Sequence, residues 1–187
     1  MKTSKFIFTL CIVGCALFSC NPISPEEKDE MKKKALELAT YLTDNYTVGD
    51  SVFFERRINP FAEYPDMIEG FVVTQNYFSD YSDYFSGEDG SFNTKGYQMG
   101  TVLQNANNKI EVKLFYKKES LGFYSDCFVD GRVIYNDKVN DMDRWYATEQ
   151  DSIILINTYN YTATLQKNAG IIDIHAYKEK LYWNLAE

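Results

Sequence analysis

The chain has 187 residues, with 19 Lys or Arg against 27 Asp or Glu, which gives a formal net charge of -8 at pH 7. This acidic balance argues against nucleic acids and anionic lipid surfaces as partners, because both require clusters of Lys and Arg. The length suits a single domain, which can bury a sizeable core without disulfides.

The first predicted element is a short apolar segment from Phe6 to Phe18, which follows Lys2 and Lys5 and ends in Ser19 and Cys20. Basic residues, an apolar run and a small-residue end are the three parts of an export signal. A membrane span needs about 20 apolar residues, and this run is shorter. A permanent span is therefore the weaker interpretation.

The segment resembles a bacterial lipoprotein signal, in which an aliphatic residue three positions before a cysteine and a small residue just before it direct cleavage. The new N-terminal cysteine then carries the lipid. Ile12 to Cys15 and Leu17 to Cys20 both fit, and Phe18 makes the second site the poorer match by spelling. We nevertheless favour Cys20 as the lipidated residue, because cleavage there leaves no apolar tag on the mature chain.

Cleavage before Cys20 divides the chain into a signal peptide at 1–19, a short tether at 20–24 and one domain at 25–187. The loss of two lysines lowers the basic count from 19 to 17 against 27 acidic residues, which moves the formal charge from -8 to -10. The resemblance implies a lipid anchor in the cell envelope. Asn21 stands where an aspartate retains some lipoproteins at an inner membrane, which favours the outer membrane.

Cys127 is the one cysteine left as a free thiol after this cleavage and acylation. A lone cysteine forms no internal bridge, so no disulfide framework is expected. Its place on a predicted strand beside Phe128 and Val129 predicts a small buried hydrophobe.

A helix signature follows the tether: Ser24 is the predicted N-cap, Pro25 the first helical residue and Glu27 the partner in a capping box. The apolar residues that follow have helical spacing and form one stripe, which predicts that the helix packs on the sheet. These are Met31, Ala35, Leu38, Ala39 and Leu42.

From Val48 onward, short β-branched and aromatic segments alternate with Gly, Asn and Asp. They predict strands at 50–58, 67–77, 96–104, 109–117, 121–129, 132–136, 151–157, 159–166, 170–177 and 180–185. Short turns between consecutive strands predict a mainly β fold, an antiparallel meander with one N-terminal amphipathic helix. A sandwich, a curved sheet and a partly closed barrel all stay open.

Three hairpin turns are predicted within this meander. Asp130 and Gly131 separate two apolar runs, which is a strong short-range hairpin signal. Asn107 and Asn108 mark a second turn, and Gly170 lies near a third.

Two further stretches, "YTVGDSVFF" at 46–54 and "AGIIDIHAYKEKLYWNL" at 169–185, are similar to small lipoproteins of unknown function in bacteria rich in outer-membrane lipoproteins. The resemblance implies an envelope lipoprotein and supplies no catalytic residues.

Aromatic and acidic residues interleave in "NYFSDYSDYFSGEDGSF" at 76–92. Aromatic rings beside carboxylates suit carbohydrate, because rings stack on the apolar faces of sugars while the oxygens accept hydrogen bonds from hydroxyls. Calcium and an ordinary surface loop are the alternatives. The candidate ligand-binding residues here are Tyr81, Asp83, Tyr84 and Phe85.

A second acidic cluster, "YNDKVNDMDRWY" at 135–146, adds Trp145 as a candidate stacking residue, although a core position competes with that role. The cluster lacks the central glycine of a calcium loop, so no metal site is expected. His175 is the only histidine, and strand alternation places it on one face with Asp173, as a polar pair or as a general base with its orienting acid.

The sequence therefore predicts a non-catalytic ligand-binding module, with glycan as the leading ligand class and no cofactor. A structural or assembly subunit that docks an envelope protein is the alternative, and a hydrolase is third. Phosphate-binding glycine loops and nucleophile elbows are missing from the sequence, so nucleotide chemistry has no support.

Overall fold

The computed structural model describes most of the chain after residue 22, namely 23–87, 90–121, 124–136, 138, 146–158 and 160–186. The side chains of 85–92, 119–126 and 146 are not part of that description. Cys20 and the predicted signal peptide lie outside the described residues. The same holds for Trp145, which falls in the part of the second acidic cluster at 139–145, and for Asp137.

Helix α1 spans Pro25–Ala39 and begins as the sequence predicts. Ser24 is the N-cap, and its hydroxyl accepts a hydrogen bond from the Glu27 backbone N–H at 3.1 Å. The Glu27 carboxylate does not complete a capping box; it binds the Lys118 ammonium on the sheet instead, which holds the pKa of Glu27 below its usual value. The predicted stripe is buried throughout.

Ten strands among the described residues form one mainly antiparallel sheet, which confirms the predicted fold class. Four of them, β2 to β5, are much longer than the rest. The strands are β1 Ser51–Arg57, β2 Met67–Gly87, β3 Gly90–Gln104, β4 Lys109–Leu121, β5 Tyr124–Tyr135, β6 Tyr146–Gln150, β7 Ile153–Asn157, β8 Tyr161–Gln166, β9 Gly170–Ala176 and β10 Leu181–Leu185.

The sheet order is β5-β4-β3-β2-β1-β10-β9-β8-β7-β6, so the first and last strands pair and the sheet ends at β5 and β6. All other pairs join strands that are consecutive in the chain, as in a meander. Strand β5 lies close to β6 and β7, so the two edges meet and the sheet is nearly closed like a barrel. We call this junction the seam.

The inner face of the sheet, α1 and the short helix Thr43–Asn45 share one hydrophobic core. Trp183, Tyr41 and Phe54 are its largest fully buried side chains. The Tyr41 hydroxyl donates to Glu149 at 2.6 Å, and the Tyr46 hydroxyl accepts from the Ile171 backbone N–H at 2.7 Å. These contacts fix the segment that follows α1 against β6 and β9.

A polar network around Glu69 stabilises the other end of the barrel. Glu69 is only 7% exposed. Trp183 Nε1 donates to Oε2 at 2.9 Å, and the side-chain amides of Asn105 and Asn108 donate to Oε1 at 2.7 and 2.6 Å. The Tyr135 hydroxyl donates to Asn108 Oδ1 at 2.6 Å. The network thus joins β2, β5, β10 and the β3–β4 turn.

The hairpin predicted at Asp130 and Gly131 is wrong, because both residues lie inside β5 and pair with Phe115 and Leu114 of β4. The turns at Asn107 and Asn108 and before Gly170 are confirmed. Strand β6 was not among the predicted strands. Asp130 stays in the strand because its carboxylate pairs with a lysine on β4, described below.

Two other expectations also differ from the structure. The segment between the predicted strands 67–77 and 96–104 is not a loop, since the ladder of β2 and β3 is continuous from Gln75 paired with Val102 to Gly87 paired with Gly90. Cys127 is free as predicted, but it is exposed rather than buried, because the long strands carry it past the core.

Candidate functional site

A cleft of about 520 Å³ lies between α1 and the long hairpin of β2 and β3. We call it the α1 cleft. It is lined by Lys28, Asp29, Lys32, Phe78, Ser79, Asp80 and Tyr97.

The positions of the lining residues follow from two periodicities. Lys28 and Lys32 are four residues apart, so they share a helix face beside the buried Met31. Phe78 and Asp80 are two residues apart on β2, so both point to the inner face of the sheet. Tyr97 pairs with Asp80 across the ladder and therefore faces the same side.

Two aromatic rings form the floor of the cleft. Phe78 and Tyr97 are stacked, with ring centroids 5.6 Å apart and an interplanar angle of 23°. Burial, followed by the charges of Asp80 and Asp29, raises the pKa of Tyr97. The Tyr97 hydroxyl is therefore a neutral hydrogen-bonding group across the physiological range.

Charged groups of both signs surround this floor. Lys28 Nζ and Asp80 Oδ2 are 4.0 Å apart, and both side chains are largely exposed. Such an exposed pair contributes little to stability, so both groups can turn to a ligand at small cost. Lys32 and Asp29 are exposed beside them. The rim thus offers ammonium donors and carboxylate acceptors in equal number.

The structure separates the residues that the sequence brought together as a binding stretch. Tyr84 lies on the inner face of β2, the face of Phe78 and Asp80, and is 61% exposed. Tyr81 and Asp83 lie on the outer face, because side chains alternate along a strand. Phe85 belongs to β2, but its side chain lies outside the described residues, as does Trp145.

Tyr81 packs on the outer face of the sheet. Its ring meets Phe115 edge to face at 5.2 Å, and its hydroxyl donates to Asp83 Oδ2 at 3.1 Å. Burial, then the hydrogen bond to Asp83, raises the pKa of Tyr81 to about 12. The ring is thus partly occupied by contacts within the protein.

A buried ion pair lies beside Tyr81 and was missed by the sequence reasoning. Lys117 Nζ and Asp130 Oδ2 are 2.5 Å apart, with side chains 10% and 7% exposed. The Lys117 ammonium also lies over the Phe115 ring, 4.6 Å from its centroid. Strand alternation places Lys117 on the face opposite the buried Leu114, but it gives no sign that aromatic neighbours from β4 and β5 bury this ammonium.

Asp173 and His175 form a polar pair on the outer face of β9. His175 Nε2 and Asp173 Oδ2 are 2.8 Å apart, and the same oxygen accepts from Asn184 Nδ2 at 2.9 Å. The Asp173–His175 contact lies within β9, and Asn184 on β10 supplies the cross-strand hydrogen bond to the same carboxylate.

The described residues bring no three His, Cys, Asp or Glu side chains into a group that could hold a metal ion. In the same part of the chain, no helix has the length and apolar character that a membrane span requires. Comparison with known proteins found no matching family model, curated protein or solved structure. Any assignment of function therefore has to come from the geometry above.

Proposed function

We propose that this chain is a lipid-anchored envelope protein whose domain binds a carbohydrate, without catalysis, in the α1 cleft. The stacked Phe78 and Tyr97 rings between donors and acceptors of opposite charge carry the proposal. Ligand sites combine an aromatic surface with a few convergent polar groups. Sugars match this composition, because their rings have apolar faces and their hydroxyls both donate and accept hydrogen bonds.

The proposed anchor fits the position of this cleft. Lys28 lies in the first turns of α1, and only a short tether separates α1 from Cys20. Lipidation at Cys20 would hold the cleft close to the outer membrane.

Glycan binding by variants of the full chain in detergent micelles tests the proposal. We expect retention on a glycan array by the wild type, and a loss of about tenfold in affinity for Asp80→Ala and for Lys32→Ala, the scale of one charged hydrogen bond. Both side chains are exposed, so the thermal midpoint should change little. Tyr64→Ala is the control, since Tyr64 is exposed in the β1–β2 connection, away from the lining residues.

Retention that survives both cleft substitutions would contradict this site. No retention of the wild type on any glycan would contradict the carbohydrate class. Replacement of Phe78 by alanine is a weaker test, because Phe78 also packs against the core.

An assembly role is the second candidate, favoured by exposed apolar side chains at the β1–β2 end of the barrel. Phe61 is 92% exposed, Tyr64 75% and Ile68 61%. Exposed apolar patches of this kind are typical of protein contacts. A membrane protein that cross-links to the wild type but not to a Phe61→Ser, Tyr64→Ser variant would support this role.

A further inference from the structure

We infer, on the premise of the proposed function, that the carbohydrate is a linear chain extending from the α1 cleft along the inner face of β2 to Tyr84. The inference rests on two aromatic rings, Phe78 and Tyr84, that face the same side of one strand at a fixed separation.

The register of β2 and β3 fixes this arrangement. Pairing continues without a bulge from Gln75 to Gly87, so Phe78, Asp80 and Tyr84 all point to the inner face. Strands advance about 3.3 Å per residue, so the six residues from Phe78 to Tyr84 span roughly 20 Å. Several linked sugar rings cover that distance, whereas a disaccharide does not.

Polar side chains lie between and beside the two rings. Ser82 pairs with Lys95, and Tyr84 pairs with Asn93, so these partners on β3 share the inner face. Ser82, Lys95 and Asn93 are all exposed. They offer donors and acceptors along the path, as the hydroxyl groups of an extended sugar chain require.

Tyr84 presents an exposed aromatic ring at the far end of this path. It is 61% exposed, and its backbone N–H donates to Asp83 Oδ1 at 2.8 Å. Asp83 also accepts from Tyr81 on the outer face, so it ties the local backbone to the ring contacts there. A short ligand bound at Phe78 would leave Tyr84 free, and a long one would touch both rings.

The test measures affinity against chain length. Fragments of cellulose, xylan, mannan and chitin with two to six sugar units are titrated into the full chain in detergent micelles, and the dissociation constant is measured by calorimetry. We expect affinity to rise with length and then level off once both rings are reached. Tyr84→Ala should remove this rise, lowering affinity for the longest fragments about three- to tenfold, as one stacking contact would.

The same variant should bind the two-unit fragments as the wild type does, with Tyr64→Ala as the matched control. Affinity that does not depend on length, or long fragments that bind Tyr84→Ala unchanged, would overturn the extended path while leaving carbohydrate binding in the cleft intact. No binding of any fragment by the wild type would overturn the proposed function, and the path with it.

Discussion

At the scale of single residues, Glu69 is a buried carboxylate that accepts three hydrogen bonds from side chains. Burial alone would raise the pKa of its carboxyl, but hydrogen bonds from Trp183, Asn105 and Asn108 and the charge of Arg56 outweigh burial and lower it. The group is therefore ionised in the folded protein. Its donors come from elements far apart in the chain, so its charge holds one end of the barrel together.

Glu69→Gln should lower the free energy of unfolding by about 2–3 kcal/mol at pH 7. A neutral amide accepts the three hydrogen bonds more weakly and turns one of its own donors toward them. Urea unfolding measures the change. Glu63→Gln is the control, because Glu63 is exposed in the β1–β2 connection and should leave the midpoint unchanged. Equal stability of the two variants would contradict a structural role for Glu69.

The lowered pKa of Glu69 also sets the sign of a pH effect. Its contribution to stability is fully present above the unfolded pKa of about 4.3 and is lost as the pH falls through the lower pKa of the folded state. The difference between wild type and Glu69→Gln should therefore shrink below about pH 4. A difference that stays constant down to acid unfolding would contradict this assignment.

At the scale of elements, the seam explains why β5 passes straight through Asp130 and Gly131. A Cβ added at Gly131 would lie 2.7 Å from Ile156 Cγ1 on β7, so the glycine lets the two edges approach. The Asp130 side chain lies on the outer face of the sheet, where its carboxylate pairs with Lys117 on the adjacent strand β4. Asp130 and Gly131 together predict a turn from local sequence. In the structure, Gly131 allows close packing of the two edges and Asp130 forms a buried ion pair.

Gly131→Ala should destabilise the protein by about 1–2 kcal/mol, because the added methyl group overpacks the seam. Ile156→Ala alone should also destabilise it, by leaving a cavity. The double variant should cost clearly less than the two single changes together, as expected for residues in contact. Thermal or urea unfolding of all four proteins completes the cycle, and additive costs would show that the two side chains do not meet.

At the scale of the whole molecule, one sheet and one helix bring together residues from distant parts of the chain. The α1 cleft needs α1, β2 and β3, and the Glu69 network needs β2, β10 and the β3–β4 turn. The start of α1, which would follow the lipid, borders the cleft. The exposed Phe61 and Tyr64 belong to the connection at the start of β2, the opposite end of the strand from Tyr84.

Metabolic labelling with a fatty acid should be lost in Cys20→Ala and retained in Cys15→Ala, because polar sequence begins directly after Cys20. Labelled protein is recovered from the membrane fraction and compared between the variants. Labelling that persists in Cys20→Ala and disappears in Cys15→Ala would assign the lipid to the other site. Labelling unaffected in both variants would contradict lipidation at either cysteine.

The sequence by itself determined the elements whose signals are local. The Ser24 cap and the apolar stripe of α1 follow from helical spacing, and most strands follow from alternation between turn residues. The antiparallel arrangement follows from the short connections. Of the residues that line the α1 cleft, the sequence singled out only the aromatic and acidic stretch that contains Phe78 and Asp80.

Only the tertiary structure showed that the sheet is nearly closed and which residues form the α1 cleft and the Glu69 network. Tyr97 lies beside Phe78 because of the register of β2 and β3. Lys28 joins these rings because α1 docks on β3, and the apolar stripe of α1 does not show which strand it will contact. The continuation of β2 through this stretch puts Tyr81 and Tyr84 on opposite faces. Aromatic neighbours from β4 and β5 bury Lys117. Which side chains meet depends on register and docking between distant elements, and these are set by the free energy of the whole core rather than by any short stretch.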